Sequence, residues 1–592
     1  MCGIVGYVGK RQAKEIILEG LTRLEYRGYD SAGLSIFNQR HQIFDIYKDI
    51  GRVNQLREIS KSSAFSNIGI GHTRWATHGK VSKINAHPHQ SHSKRFVIVH
   101  NGVIENYQEL KAQYLTNTIF ESETDTEVIA QLIETFVKNL NVENAILTTL
   151  KLLKGSYALL ILDTTSPEVL YAAKHKSPLI LGQSNEGITI ASDLMALVGY
   201  ADTYVPIEDK TFIVSYETTT RFYDLDHHLI HPTFKKIELD ESSVEKGAYA
   251  HFMLKEIHEQ PSVVRRLVSN YLNDTYTFDQ NLIEKMRQSD RIYVLAAGTS
   301  MHAGFIGKRL FESLAGIPTE VHIASEFAYQ MPLLTKNPFF VLVSQSGETA
   351  DLRACLVKLK KRNYEILTIT NVITSTLARE ANYALELFAG PEIAVASTKA
   401  YVAQVGLLAI LANELGARPI NLYQELTKVA LAIENFLSEE KTLDITRRMF
   451  TKKECFYIGR GVDYYIGLEA ALKLKEISYI HTEGFAAGEL KHGTIALIEE
   501  DTPVVAIISD ISISSNTRSN LKEVEARGAK TLIISMKEAS QKDDDIVLDD
   551  VYPLLSPMVM VVPTQLFSYY AALVRSYDID KPRNLAKSVT VE

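Results

Sequence analysis

At 592 residues the chain is too long for one hydrophobic core, so about three domains are expected. A hydrophobic content of 46% with 23% charged residues excludes intrinsic disorder, and a net charge of −8 without a long Lys/Arg block disfavours nucleic acid and anionic membranes as partners. Only three cysteines occur, Cys2, Cys355 and Cys455, too few and too far apart for a disulfide framework or a four-thiolate metal centre, which fits a reducing cytoplasm.

The chain opens Met1-Cys2-Gly3-Ile4. Methionine is trimmed when a small residue follows it, so the mature protein is expected to begin with a thiol and a free α-amine on one residue. An α-amine titrates at about 8 and can take up the thiol proton near neutrality, which suits Cys2 to acyl transfer. No basic, apolar leader of the secretory kind is read here, and no apolar stretch reaches membrane-spanning length.

Short β-rich runs follow at residues 4–8, 34–37, 96–100, 157–163, 189–192 and 212–214, with helical periodicity at 13–24 and 126–138. This pattern predicts an α+β layered domain over residues 1–239. Residues 240–248 lie in a charged stretch poor in large apolar groups and are expected to form a linker. Beyond it, apolar strands at 291–296, 339–344 and 365–370 alternate with amphipathic helix-length segments, the signature of a doubly wound parallel sheet.

Tyr293, Leu342 and Leu367 of that pattern recur as Tyr457, Ile507 and Leu532, 164 or 165 residues later. A spacing held this constant argues for a duplicated unit. The first copy is placed at 249–445, with its core at about 283–422, the second at 446–581, and a polar tail at 582–592. The acidic run at 543–545 reads as a solvated loop, and the apolar run at 558–562 as a strand-sized core piece.

Chemistry-bearing residues cluster in both halves. The first domain carries Glu19-Gly20-Leu21, Arg23-Leu24-Glu25-Tyr26-Arg27-Gly28-Tyr29-Asp30, Gly71-His72-Thr73-Arg74-Trp75-Ala76-Thr77-His78-Gly79, His87-Pro88-His89, His100-Asn101-Gly102 and Glu123-Thr124-Asp125. His72, His78, His87, His89, His92 and His100 do not form a metal shell, because their spacings are irregular and no Cys or carboxylate pattern completes one. These motifs, in this order, resemble class II glutamine amidotransferases with an N-terminal-nucleophile glutaminase fold of αββα layers.

The resemblance implies roles for individual residues. Cys2 is the nucleophile, and the Asn101 side chain with the Gly102 backbone N–H forms the oxyanion hole. Arg74 and Asp125 hold the carboxylate and ammonium of glutamine, Thr77 and His78 support the pocket, and Trp75 gates a passage for ammonia. Asp125 also precedes the 126–138 helix, where a carboxylate serves as an N-cap.

In the second half, Ser344-Gln345-Ser346-Gly347-Glu348-Thr349 lies between a strand and a helix. Its hydroxyls and N–H groups suit a phosphate, while the absence of a P-loop lysine disfavours ATP. Together with Ala297-Gly298-Thr299-Ser300, Ala396-Ser397-Thr398-Lys399, Lys473-Leu474-Lys475-Glu476, Gly488-Glu489-Leu490-Lys491-His492-Gly493 and the tail Pro582-Arg583-Asn584-Leu585-Ala586-Lys587, it resembles two flavodoxin-like sugar isomerase (SIS) domains.

The whole arrangement resembles the isomerizing glutamine–fructose-6-phosphate aminotransferase family. By that resemblance Ser300, Ser344, Gln345, Ser346 and Thr349 hold the sugar phosphate, and Ser397 contacts the sugar. His492 opens the ring, Glu476 moves a proton from C1 to C2, and Lys473 and Lys587 assist as electrophiles. The substrates would be L-glutamine and D-fructose 6-phosphate, with no cofactor and no metal. The protein would be a cytoplasmic homodimer joined through its isomerase halves, with sites completed across the interface. Thr494 departs from the proline expected after His492-Gly493.

Other amidotransferases share the first domain. Asparagine synthetase needs an ATP pyrophosphatase loop and amidophosphoribosyltransferase needs acidic ribose-diphosphate motifs, and neither is found. A sugar-phosphate-sensing regulator would carry a DNA-binding helix-turn-helix where this chain carries glutaminase residues.

Overall fold

The structure, a computed structural model, describes residues 2–75, 79–237, 245–273, 275–439 and 442–589. The chain divides between Glu245 and Lys246 into two compact units. Residues 240–244 of the expected linker lie outside the described residues, as do Thr77 and His78.

The first unit stacks two antiparallel sheets. The central strand of the eight-stranded sheet, Gly3–Gly9, pairs with Ile68–Arg74 on one side and Gly187–Ala191 on the other. The seven-stranded sheet holds Phe96–Ile104 beside Gly155–Asp163. Ile4, Val8 and Ile70 from one sheet join Val97, Val99, Leu160 and Leu162 from the other in a single apolar layer. Helix Ala13–Leu24 covers the outer face of the first sheet. Helix Thr126–Phe136 covers the second, its Val128, Ile129, Leu132 and Ile133 falling on one face at 3.6-residue spacing. The layers are αββα.

The second unit contains two parallel five-stranded sheets with the same topology. In the first, Thr319–Ile323, Arg291–Ala296, Pro338–Ser344, Glu365–Thr370 and Tyr383–Glu386 are neighbours in that order. In the second, the order is His481–Ala486, Glu454–Gly459, Pro503–Ile508, Lys530–Met536 and Ile546–Leu548. Both follow the flavodoxin-like order 2-1-3-4-5, in which ligands sit beyond the carboxyl ends of the strands at the switch between strands 1 and 3.

Three expectations are corrected by the structure. Residues 558–562 are not a strand but part of helix Ser556–Val574, packed against helix Val462–Ser478. The segment Pro553–Val574 is, by length and mean hydropathy of 1.3, long and apolar enough to cross a membrane, contrary to the sequence reading, and 83% of its apolar window is buried within the protein. The acidic run is not simply solvated: Arg518 holds Asp544 through two hydrogen bonds of 2.6 and 2.7 Å, and Ser535 donates a third of 2.6 Å.

Candidate active sites

In the first unit, the start of the Gly3–Gly9 strand places Cys2 beside the end of its neighbour. The register pairs Gly3 with Thr73, so the chain leaving Arg74 runs past the thiol. The Trp75 N–H donates to the Cys2 sulfur at 3.2 Å, and the thiol faces the Trp75 carbonyl at 3.5 Å. Cys355 and Cys455 are buried, whereas Cys2 is partly exposed, as a reacting thiol must be. Burial pushes the Cys2 thiol up, while the Trp75 amide and the Arg74 guanidinium pull it the other way.

Asn101 and Gly102 sit in the Phe96–Ile104 strand of the facing sheet. The Asn101 Nδ2 group donates to the Cys2 carbonyl at 2.9 Å. Gly102 has φ +131, and a Cβ there would stand 2.1 Å from the Ser156 carbonyl, so the position admits only glycine. Arg74 is buried, and the charges of Cys2, Asp30 and Asp125 oppose the effect of that burial on its guanidinium. The structure thus gathers Cys2, Arg74, Trp75, Asn101, Gly102 and Asp125, and adds Asp30.

Asp125 occupies the N-cap position of its helix without capping it through its side chain. Its Oδ2 instead accepts the Ile104 N–H at 2.7 Å, tying the helix start to the strand that carries Asn101.

Four of the histidines are buried together: His72, His87, His89 and His100. Burial depresses all four, His72 to about 3, the others also below the ordinary value, so each imidazole is neutral. Among the described residues no group of three or more His, Cys, Asp or Glu could hold a metal ion. The unfolded chain binds protons on these rings below about pH 6.5 and the folded one does not. Their stabilising contribution is therefore present above about pH 6.5 and is lost as pH falls towards the folded values. Trp75 is the sole tryptophan, so its fluorescence reports this unit alone. Its urea midpoint is expected to drop steeply between about pH 6.5 and 4.5; a flat profile there would contradict the assignment of four neutral histidines.

In the second unit, strand Pro338–Ser344 ends in the loop that was read as a phosphate site. The Gly347 N–H donates to Ser344 Oγ at 3.0 Å, and Ser344 and Thr349 share a hydroxyl hydrogen bond of 3.0 Å. Gly347 has φ +64, and a Cβ would fall 1.9 Å from Ser375 Oγ. The C-terminal tail folds over this loop: Ser588 Oγ lies 2.9 Å from Ser346 Oγ, and the Ala350 N–H donates to the Val589 carbonyl at 3.0 Å. Gln345 is half-buried, and its main-chain carbonyl accepts the Asn371 N–H at 3.0 Å. Ser300, on the helix after the first strand, accepts from Gln404 Nε2 at 2.9 Å.

The tail also delivers Lys587 into the interior. Its ammonium donates to Glu392 Oε2 at 2.6 Å, the Ala394 carbonyl at 2.8 Å and Ser397 Oγ at 3.1 Å. Burial acts against the charged form of Glu392, and the adjoining Lys587 outweighs it, holding the carboxyl below its ordinary range. Nearby, burial and the Glu392 charge raise Glu256 to about 8.

Lys473 and Glu476 lie on helix Val462–Ser478, joined by a hydrogen bond of 2.5 Å. Glu469, one turn earlier on the same face, accepts from Thr299 Oγ1 at 3.0 Å and lies 2.7 Å from His302 Nδ1. Burial lowers the Lys473 ammonium, but Glu476 and Glu469 more than offset this, and Glu392 adds to them. Glu392 thus acts on both lysines, directly on Lys587 and more weakly on Lys473.

His492 stands apart. It ends the short turn Ala487–His492, is exposed, and takes no part in the contacts that gather Lys473, Glu476 and Lys587. Thr494 begins the next turn and donates its hydroxyl to the Leu490 carbonyl at 3.3 Å. Glu392, Glu469 and His302 were not singled out from the sequence. The signal for Glu469 was available, since Glu469, Lys473 and Glu476 repeat at helical spacing within an apolar segment. Glu392 becomes visible only when the tail is folded.

Both parts of the chain resemble known proteins. A glutamine amidotransferase domain model matches residues 59–266, and an SIS domain model matches twice, at 285–414 and 448–575. Glutamine–fructose-6-phosphate aminotransferases [isomerizing] of Listeria monocytogenes and Staphylococcus aureus are each 52% identical over 603 aligned residues, covering 100% of both chains. The C-terminal domain of glucosamine-fructose-6-phosphate aminotransferase from Francisella tularensis superposes with a TM-score of 0.54 at 38% identity, covering 57% of this chain and 100% of that one. The chain belongs to the isomerizing glutamine–fructose-6-phosphate aminotransferase family.

Proposed function

We propose that the chain converts L-glutamine and D-fructose 6-phosphate into L-glutamate and D-glucosamine 6-phosphate. The observation that carries this reading is the presence, in one chain of this family, of a partly exposed Cys2 beside Asn101 and of a buried Lys587–Glu392–Ser397 cluster beside a Ser/Thr loop.

After loss of Met1, the Cys2 α-amine takes the thiol proton and the sulfur attacks the glutamine amide carbon. Negative charge builds on the amide oxygen, where Asn101 Nδ2 and the Gly102 N–H act as donors. The tetrahedral adduct expels ammonia and leaves a thioester, which water hydrolyses to glutamate and the free thiol. Arg74 and Asp125 grip the two ends of the amino-acid head. Trp75, bracketing the sulfur, gates the departure of ammonia.

At the second site Ser300, Ser344, Gln345, Ser346 and Thr349 bind the phosphate, and Ser397 the sugar. Ring opening exposes the C2 carbonyl. Ammonia adds at C2 and water leaves, giving an imine; Glu476 then removes a proton from C1 and returns one to C2, giving the 2-amino aldose. Lys587 and Lys473 polarise the carbonyl. The exposed His492 serves ring opening in a site completed by a second copy, so we infer a homodimer, working in the cytoplasm.

Arg74→Lys keeps the charge but loses the planar fork. It is expected to raise the KM for glutamine about 30-fold, with kcat much less affected, from the loss of a charge-assisted hydrogen bond; an unchanged KM in glutamate-release assays would remove Arg74 from the pocket. The overall reading is tested by incubating purified protein with both substrates and identifying the product by mass spectrometry. Glucosamine 6-phosphate requiring both is expected, and amination of some other acceptor alone would exclude it.

A further inference from the structure

We infer that a one-way chain of hydrogen bonds through His100, Thr126, His87 and His72 locks the amide of Asn101 in the orientation that aims its N–H groups at Cys2, making these four positioning residues for thioester formation. The inference rests on the reading of Asn101 as an oxyanion donor.

Each link is forced by its neighbours. The Ser156 carbonyl, 3.3 Å from His100 Nε2, can only accept, so that nitrogen carries the proton and His100 Nδ1 carries a lone pair. The Thr126 hydroxyl, 2.9 Å from that Nδ1, must donate to it. Thr126 Oγ1 then accepts from His87 Nε2 at 3.1 Å, which leaves His87 Nδ1 as an acceptor 3.0 Å from His72 Nε2.

The other end gives the same answer independently. Asn101 Nδ2 must face the Cys2 carbonyl, which can only accept, so its Oδ1 is the atom 3.1 Å from His72 Nε2. The His100 carbonyl lies at 3.1 Å from the same nitrogen. His72 Nε2 is surrounded by three acceptors and must be protonated, and its Nδ1 is left buried without a partner. A chain solved from either end with one assignment of protons has one ordered state.

Thr126 touches neither Asn101 nor Cys2 in any of these bonds, and this makes it the discriminating position. Without its hydroxyl, His87 Nε2–H has no acceptor and His100 Nδ1 no donor, so the His87 ring loses the bond that orders it and no longer holds His72 in place against the Asn101 amide. His89, whose ring lies 4.7 Å from that of His87, bonds Thr124 instead and is outside the chain.

The test uses the full chain and measures glutamate release. Thr126→Val is expected to lower kcat about tenfold with KM for glutamine little changed, and Thr126→Ser to restore it; Asn101→Ala is expected to lower kcat about 100-fold or more. In the Asn101→Ala background, Thr126→Val should add no further loss. Imidazole 15N spectra should show the Nε2–H tautomer for His72, His87 and His100 in the parent and a redistribution in Thr126→Val. Full activity of Thr126→Val alongside an impaired Asn101→Ala would overturn the relay while sparing the oxyanion reading. A wild-type rate in Asn101→Ala would remove that reading and the inference with it. A Thr126→Val loss that multiplies with Asn101→Ala, or that serine does not restore, would mean a general packing defect and would also overturn the relay.

Discussion

Replacing Cys2 by alanine should lower glutamine hydrolysis by about 10⁴-fold or more, the scale seen when the nucleophile of a covalent mechanism is removed. The other thiols cannot substitute, because Cys355 and Cys455 are buried in the second unit, where burial raises the Cys455 thiol far above its ordinary value. The protein should remain folded, since Cys2 precedes the first strand and its Sγ contacts only the Trp75 backbone among the hydrogen bonds of the described residues. A loss of hydrolysis in a protein that keeps its fold separates a nucleophile from a structural thiol, and glutamate release at the parent rate would refute the assignment.

The second large effect is expected at the tail. Lys587→Met should reduce glucosamine 6-phosphate formation by about 10³-fold or more, within the range for loss of a positioned polar catalyst, while glutamine hydrolysis without sugar phosphate stays near the parent rate. Lys587 is 2% exposed and Glu392 0%, so the substitution strands a buried carboxylate. Breaking one partner of a buried pair costs about 3–5 kcal/mol, so the thermal midpoint of the second unit should fall as well. Glu392 retains the Ser397 hydroxyl and the Thr398 and Ala400 N–H groups, which limits the damage. Lys587→Arg keeps the charge and should recover stability without recovering synthesis. Deleting the chain from Pro582 should give the same split between the two activities; undiminished synthesis would take the tail out of the site.

Much of this was legible in the residues. Strand and helix periodicity located both units, and the repeat spacing that links Tyr293 with Tyr457 anticipated two sheets of identical topology. The loop after Ser344 and the lysine of the tail were found as motifs, and the structure joins them through Ser588 and Ser346. Two kinds of information were missing. The first was pattern without context: the apolar run at 558–562 suits a strand or a buried helix equally, and only its packing on helix Val462–Ser478 decides between them. The second was tertiary pairing. Nothing in the local sequence of Glu392 indicates Lys587, 195 residues later, and nothing near Asp125 indicates that its carboxylate accepts the Ile104 N–H. The histidines stand out in the residues, yet their hydrogen-bonded order exists only once two sheets bring His72, His87 and His100 together.

The claim on which the account turns is that nitrogen taken from glutamine at Cys2 is handed on without mixing with ammonium in solution. The most direct measurement supplies [amide-15N]glutamine and fructose 6-phosphate in the presence of excess unlabelled ammonium and reads the isotope in the glucosamine 6-phosphate formed. The account predicts product labelled almost as fully as the glutamine amide. Product labelled only to the level of the bulk ammonium pool would contradict it.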